Sequence, residues 1–346
     1  MTEQTTSKLA PDHTPAPTQG AIPGEVAVLI PCYNEAITIG LVIDDFKRAL
    51  PEARIYVYDN NSKDGTAYIA YDHGAIVKSE PRQGKGNVVR QMLRDIDADF
   101  YLMVDGDDTY PAEAARSLLL PLAKDQADMT VGDRLSNGTY GQENDRAFHG
   151  LGNNLVRFLI RAIYGFRFKD VMTGYRAFNR VFARTIPVLS PSFEIETELS
   201  IHAVDKRWRI REIPINYRDR PEGSESKLNT FSDGFKVLRT IASLFKDYRP
   251  MVLFSLLAFI FCVLGLVTGI PVVVEFGQTG LVPRLPSALL AVALMFVGIL
   301  CLSCGLILDT VVKGNRKEYE LEVMRVYEEL RKERRQLRDG TALPQG

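Results

Sequence analysis

From Glu25 onward, apolar and polar positions alternate in short blocks. Val26–Ile30, Arg54–Tyr58, Ala75–Lys78, Phe100–Val104 and residues 128–132 read as strands, short apolar runs bounded by turn residues. Between them, helical spacing runs from about Glu35 to Leu50, over Asp64–His73, over Gly86–Ile96 and over residues 111–124. Strands alternating with helices imply a mostly parallel sheet covered on both faces, an α/β fold. Ile210–Tyr217 reads as a further strand. Leu228–Tyr248 places Phe231, Phe235, Leu238, Ile241, Ala242 and Phe245 at helical spacing with Lys236, Arg239 and Lys246 between them. That pattern suits a helix at a membrane interface, and a helix packed on a core is the alternative. Met251–Val274 and Leu285–Leu308 are apolar and free of charge. As helices each spans roughly 36 Å, enough for the hydrocarbon core of a bilayer. Asn315–Arg338 is charged, with Val323, Tyr327, Leu330 and Leu337 on one stripe. The stripe suits packing on a neighbouring subunit, which leaves room for a homo-oligomer, or packing on the α/β domain.

Three strand ends carry polar clusters: Pro31-Cys-Tyr33-Asn-Glu35, then Asp59-Asn60-Asn-Ser-Lys-Asp64-Gly-Thr66, then Asp105-Gly-Asp107-Asp108-Thr109. In a parallel sheet these ends face one crevice, where open α/β sheets bind ligands. Asp105 and Asp107 share one side if the chain stays extended. Crowded carboxylates cost free energy unless a cation offsets them. Oxygen ligands suit Mg²⁺ or Mn²⁺, which typically join one or two carboxylates to a substrate's phosphates. The plainer alternative is an acidic turn capping the helix after Pro111. Gln83-Gly84-Lys85-Gly86-Asn87 opens a helix, where glycines allow close backbone approach and Lys85 can offer charge to an anion. Out of context, a turn with a solvated lysine explains it equally well. Phe193-Glu194-Ile-Glu196-Thr-Glu198 carries acids at alternate positions; on a helix Glu194 and Glu198 share a face and Glu196 does not. His202 reads as an ordinary helix residue.

The formal net charge of −1 gives no electrostatic case for nucleic acid. The cysteines Cys32, Cys262, Cys301 and Cys304 form neither a disulfide framework nor a zinc set. Residues 1–24, rich in Thr, Pro, Gln and Gly, have no apolar run, so a disordered tail is expected rather than a signal peptide.

In order along the chain, Pro31–Glu35, Asp59–Thr66, Gly84-Lys85-Gly86, Asp105-Gly-Asp107, Val131-Gly-Asp-Arg134, Thr173-Gly-Tyr-Arg176 and Arg220–Lys227 resemble the family 2 GT-A glycosyltransferases. The branch is that of the dolichol-phosphate mannose synthases and bactoprenol-phosphate glucosyltransferases, and the resemblance covers roughly residues 25–250. It implies a GT-A fold, a Rossmann-like mostly parallel sheet. It implies that Pro31, Tyr33, Glu35, Asp59, Asn60 and Lys85 line the nucleotide site, with Glu35 at the ribose, Asp59 at the base and Lys85 at the base or diphosphate. Asp105 and Asp107 hold the metal in that reading. The family often has Asp where Asn60 stands. Mannose synthases carry a third metal-site residue, often Gln, at the position of Thr109; Asp108 is the substitute expected here. Arg134 and Arg146, flanking a polar Gly-rich stretch over 133–148, look like the family's phosphate-contacting arginines. Asp170 and Arg176 match a family stretch too, and a structural ion pair explains them nearly as well. Arg220, Ser226 and Lys227 look like its acceptor-phosphate motif, one residue longer than the commonest form.

The expected organisation is a tail over 1–24, a GT-A catalytic domain over 25–227, an interfacial amphipathic helix over 228–249, two transmembrane helices over 251–310, and a C-terminal helix over 313–338. Basic residues flank the apolar pair, Lys236, Arg239, Lys246 and Arg249 before it and Lys313, Arg316 and Lys317 after it. The positive-inside rule therefore puts both flanks, and both termini, on the cytoplasmic side of an integral membrane protein. The function so implied is inverting, metal-dependent transfer from a nucleotide sugar, with a UDP-sugar favoured, to a polyprenyl phosphate. A GDP-mannose donor is the alternative within that branch. A polysaccharide synthase would need more spans and a Gln-x-x-Arg-Trp motif, neither of which occurs. A catalytically silent scaffold would need neither the acidic cluster nor the cations.

Overall fold

The computed structural model describes residues 22–136, 157–158, 160–162, 164–218, 221 and 249–338. Arg146, Arg220, Ser226, Lys227 and the helix expected over Leu228–Tyr248 lie outside the described residues. Seven strands form one sheet: β1 Val26–Cys32, β2 Arg54–Asp59, β3 Ile76–Ser79, β4 Phe100–Met103, β5 Met129–Asp133, β6 Arg176–Asn179 and β7 Ile210–Pro214, in the order β3-β2-β1-β4-β6-β5-β7. All pairings are parallel except those of β6 with β4 and β5. The sheet is thus mostly parallel, with one reversed strand that the sequence pattern did not announce. β6 has four residues and begins on an arginine, so it lacks the apolar run that marks the other central strands.

Alternation along β1 divides the interior in two. Val26, Val28 and Ile30 enter one core with Ile39, Val42, Ile43 and Phe46 of α1 (Ile39–Ala49). Ala27 and Leu29 point the other way, toward Val88, Val89 and Met92 of α3 (Lys85–Asp95). This is the period-two geometry of a strand buried on both faces. α2 (Thr66–Asp72) and α4 (Ala115–Ala123) complete the outer layers of the first half. α5 (Arg180–Thr185) and α6 (Ile195–Asp205) join the second core through Phe182, Ile195 and Leu199. α1 starts later than its apolar spacing suggests because residues 35–38 form a turn, with the amides of Thr38 and Ile39 donating to Glu35 O.

Two long helices follow. α7 (Pro250–Thr279) carries proline at its first turn, where no amide is needed, and ends on Gly280 at φ 70°. α8 (Leu285–Arg338) runs 54 residues without a break, roughly 80 Å at helical rise. Each contains an apolar window of mean hydropathy 2.7, and only 11% and 17% of these windows are buried. Exposed apolar helices of that length are candidate membrane spans, since a core helix would be covered. The pair packs on small residues: a Cβ on Gly298 would fall 2.9 Å from Cys262 Sγ, and one on Gly265 would fall 2.9 Å from Met295.

Past its apolar half, α8 lies on the α/β domain. Val323, Val326 and Leu330 pack with Val181 and Trp208. Arg316 pairs with Asp205, and Arg180 with Glu333 at 3.1 Å. At the centre, the Tyr319 hydroxyl receives a hydrogen bond from Trp208 Nε1 (3.0 Å) and lies 3.1 Å from both Thr185 Oγ1 and His202 Nε2. Of the two settings open to the charged helix, the α/β domain of its own chain is the one the structure adopts.

Candidate active site

The ends of β2, β1 and β4 are neighbours in the sheet, and β1 is the strand at which the chain order reverses. A crevice opens at such a switch point. Its loops are stitched to one another. Thr38 Oγ1 donates to Gly106 O at 2.6 Å, and the Glu35 amide donates to Thr66 Oγ1 at 2.8 Å. The Asn34 amide donates to Ser62 Oγ, and Asn34 Oδ1 accepts from the Lys63 amide, both at 2.8 Å. Gly106 sits where a Cβ would lie 2.8 Å from Cys32 Sγ and 3.6 Å from Glu35 Cγ. Glu35 and the acidic loop are therefore adjacent, with Tyr33 exposed and Pro31 half-buried at the end of β1.

Asp59 closes β2. Its Oδ2 accepts the Ser62 amide at 3.1 Å, while its buried Oδ1 has no hydrogen-bond partner. A buried acceptor without a donor is costly, and a bound ligand that supplies an N–H removes that cost. Asn60, expected at the base, is turned instead onto the loop that follows β3. Its amide donates to Glu80 O (2.7 Å) and Arg82 O (2.9 Å), and its carbonyl accepts from the Gly84 amide (2.6 Å) and from Gln83 Nε2 (3.2 Å). Both donors and both lone pairs are used, so Asn60 is a loop fastener rather than a ligand contact.

The glycines beside Lys85 also serve the chain. A Cβ on Gly84 would fall 2.2 Å from Pro191 O, and one on Gly86 1.9 Å from Ser190 O. The close approach they permit is by residues 190–192, not by an anion. Lys85 is buried and holds two carboxylates, with Nζ 2.5 Å from Asp105 Oδ1 and 2.5 Å from Glu196 Oε1. Burial alone pushes the ammonium's pKa down; Asp105 and then Glu196 outweigh it and hold the pKa above its ordinary value. Burial raises the Glu196 carboxyl against the pull of Lys85. Sequence reasoning missed Glu196 because it assumed a helix with one inward face. α6 is buried almost all round, so Glu196 and Glu198 both point inward, Glu198 accepting the amides of Leu189 and Ser190. Three acids in five residues of an otherwise apolar stretch were the available signal.

The acidic loop leaves β-geometry after Met103, so the period-two argument for Asp105 and Asp107 does not apply. Asp105 stays partly open to solvent beside Lys85, and Gly174 lies against it, where a Cβ would fall 2.4 Å from Oδ2. Asp107 is buried, its Oδ1 accepting Thr109 Oγ1 at 2.7 Å. Asp108 adopts φ 57° and faces other partners: Arg218 Nη1 lies 3.9 Å from it and 3.8 Å from Asp45. Among the described residues no three Asp, Glu, His or Cys side chains are grouped to hold a metal. Of the expected set of Asp105, Asp107 and Asp108, the last has an arginine neighbour of its own. Asp108 is directed toward Arg218, and Thr109 is spent on Asp107. What is left fits an ion bound by one or two carboxylates with substrate phosphates, not a protein-only cage.

Just past β5, Arg134 grips Asp170 through two bonds, Nε to Oδ2 at 2.6 Å and Nη2 to Oδ1 at 3.0 Å, with the guanidinium 5.4 Å from the Tyr217 ring. Asp170 therefore pairs with Arg134 and not with Arg176. Arg176 is fully buried, donates to Thr173 O and Val171 O, and leaves Nη1 without a partner. Burial drives its pKa down to about 10 against the nearby carboxylates of Glu196 and Asp170. The Arg218 amide donates to Thr109 O at 2.9 Å and Tyr217 meets Tyr110 edge-to-face, so Tyr217 and Arg218 lie beside the acidic loop.

Residues 27–186 match the model of glycosyl transferase family 2. Glycosyltransferase AglJ of Haloferax volcanii is 31% identical over 297 residues, covering 86% of this chain and 96% of that one. The protein belongs to glycosyltransferase family 2. A dolichyl-phosphate hexose transferase of the same organism is 31% identical over 225 residues, 65% of this chain and 96% of its own. Protein RfbJ of Shigella flexneri is 59% identical over 113 residues, 33% of this chain and 88% of that relative. Glucosyl-3-phosphoglycerate synthase of Mycobacterium tuberculosis, solved with Mn²⁺, UDP and glucosyl-3-phosphoglycerate, superposes at TM-score 0.53 and 20% identity over 65% of this chain and 80% of that one. The likeness confirms the GT-A fold. Sugar transfer is the chemistry of this family 2 member.

Proposed function

We propose that the protein transfers a sugar from a nucleotide sugar, with a UDP-sugar favoured, to a polyprenyl phosphate at the cytoplasmic membrane face. The observation that carries this reading is that the switch-point crevice belongs to a domain fastened by one unbroken helix to an exposed apolar hairpin. A soluble acceptor needs no such anchor, whereas a phosphate on a long polyprenyl tail stays at the interface. The relative named for dolichyl phosphate supports the acceptor class. The Mn²⁺ and UDP of the structural neighbour support the donor and the metal.

In this reading Asp59 Oδ1 accepts an N–H of the base, while Glu35 and the Pro31–Tyr33 turn line the ribose. Asp105 and Asp107 would hold Mg²⁺ or Mn²⁺, which as a Lewis acid offsets charge on the departing nucleoside diphosphate. Lys85 adds a second positive charge to that side. Arg134, fixed on one edge by Asp170, would contact the acceptor's phosphate together with Arg146, Arg220, Ser226 and Lys227. A phosphate monoester with a second pKa near ~6 is largely dianionic at neutral pH, so its oxygen attacks the anomeric carbon without a general base. The bond to the diphosphate breaks on the opposite face, which inverts the centre. The product is a polyprenyl-phosphate sugar.

The test is radiolabel transfer from UDP- and GDP-sugars, GDP-mannose included, to extracted polyprenyl phosphate with Mg²⁺ or Mn²⁺. Labelled lipid from a UDP-sugar is the expected result. Absence of labelled lipid with every donor would overturn the reading.

A further inference from the structure

Lys85 stands where a cation belongs. Its ammonium touches Asp105, the solvent-reached carboxylate of the proposed metal site, and its other contact is Glu196, buried on α6. Two carboxylates brought together, one of them buried, call for a positive charge between them. The chain supplies that charge itself, through Lys85. A divalent ion arriving at Asp105 meets an ammonium already in contact with the same carboxylate, and two cations so close repel strongly.

We propose that Lys85 is an internal stand-in for the divalent ion at Asp105, and that Glu196 is the berth that keeps the ammonium when the ion displaces it. The inference rests on the metal reading above. Glu196 is a positioning residue in this scheme: it acts through Lys85, and no contact with substrate is asked of it. Two features make the exchange local. The Gly84 and Gly86 backbones are wedged against residues 190–192, just before α6, so the lysine's backbone and the start of the Glu196 helix move as one piece. Arg176, with Nη1 unpartnered, contributes further positive charge near Glu196. The consequence is ordered loading. Metal alone binds weakly because it must evict Lys85. A metal–diphosphate complex binds well because the released ammonium finds phosphate oxygens as well as Glu196.

The experiment uses the full chain in lipid nanodiscs and titrates Mn²⁺ alone, reading free ion by electron paramagnetic resonance with no donor, acceptor or turnover. Lys85→Met is expected to bind Mn²⁺ on the order of tenfold more tightly than wild type, because the competing ammonium is gone. Lys85→Gln keeps a hydrogen-bond donor for Asp105 without the charge and shows the same gain, which covers the case in which the Met variant misfolds. Glu196→Gln, which removes the berth, weakens Mn²⁺ binding on the order of tenfold, and the loss shrinks in the Lys85→Met background. Equal Mn²⁺ affinity in wild type and both Lys85 variants would overturn the exchange while leaving the metal site standing. An equal Glu196→Gln loss in both backgrounds would overturn the berth. No Mn²⁺ binding by any of these proteins, with or without UDP, would overturn the metal reading itself.

Discussion

Two buried polar clusters serve this protein in opposite ways. At the crevice, the Lys85 ammonium lies 2.5 Å from a carboxylate oxygen of Asp105 and 2.5 Å from one of Glu196. Under α8, Tyr319, Trp208, Thr185 and His202 meet through neutral hydrogen bonds. Charges in a low-dielectric setting stay put only while each is balanced, so a further ion or phosphate rearranges them. A satisfied neutral network has no charge to exchange and holds one arrangement. The first cluster suits a site that must load and release. The second suits a joint that fixes the catalytic domain to its apolar hairpin.

The contrast is broken most severely at the acidic loop. Asp107→Ala is expected to lower transfer on the order of a thousandfold, about 4 kcal/mol of transition-state stabilisation, with circular dichroism unchanged. Wild-type turnover in that variant would remove Asp107 from the site. Asp170→Ala comes next and acts on folding. It removes the two-bond partner of the buried Arg134 guanidinium and is expected to cost on the order of 3 kcal/mol in denaturant unfolding, the usual scale for breaking one side of a buried pair. A neutral result would show Arg134 held by something other than Asp170.

The difference between the clusters also explains what could be read from the chain beforehand. β1, β2 and β4 announced themselves because each is an apolar run ending in polar residues, and their adjacency follows from parallel topology. The two apolar spans were equally plain. β6 was hidden by Arg176, whose burial depends on carbonyls at 171 and 173 that no local pattern specifies. Asn60 was assigned to the ligand by analogy, whereas its partners lie more than twenty positions on, at Arg82, Gln83 and Gly84. Glu196 and Tyr319 were obscure for the same reason. Each is defined by contacts from distant elements, and helical periodicity reports only which face is apolar, not which polar group is enclosed.

Acidification tests the neutral cluster without a mutation. Burial, and then the neighbouring Lys206, depress the His202 pKa to about 3. The unfolded chain, with an ordinary histidine pKa near ~6.5, binds the proton more readily, so stability is fully present above that value and drains away as the pH falls toward 3. Between pH 7 and 5 the loss from this one group is on the order of 2 kcal/mol. The chain's sole tryptophan, Trp208, sits in the cluster and reports on it. Its emission is expected to shift to the red as α8 loosens, and His202→Asn should flatten that shift. A profile unchanged by the substitution would assign the acid sensitivity to another group.

The smallest effect sharpens the comparison most. Tyr319→Phe keeps the ring, its packing and the Lys206 ammonium 4.9 Å from it, and deletes only the hydroxyl. Trp208 Nε1 loses its acceptor and His202 its partner, at a cost of about 1–2 kcal/mol in the docking of α8. Because nothing charged is disturbed, UDP affinity measured by calorimetry should stay within about twofold of wild type, as expected for sites that share no partner. A Tyr319→Phe protein that docks normally but loses UDP would couple the two clusters, and the division between an exchangeable charged site and a fixed neutral joint would fail.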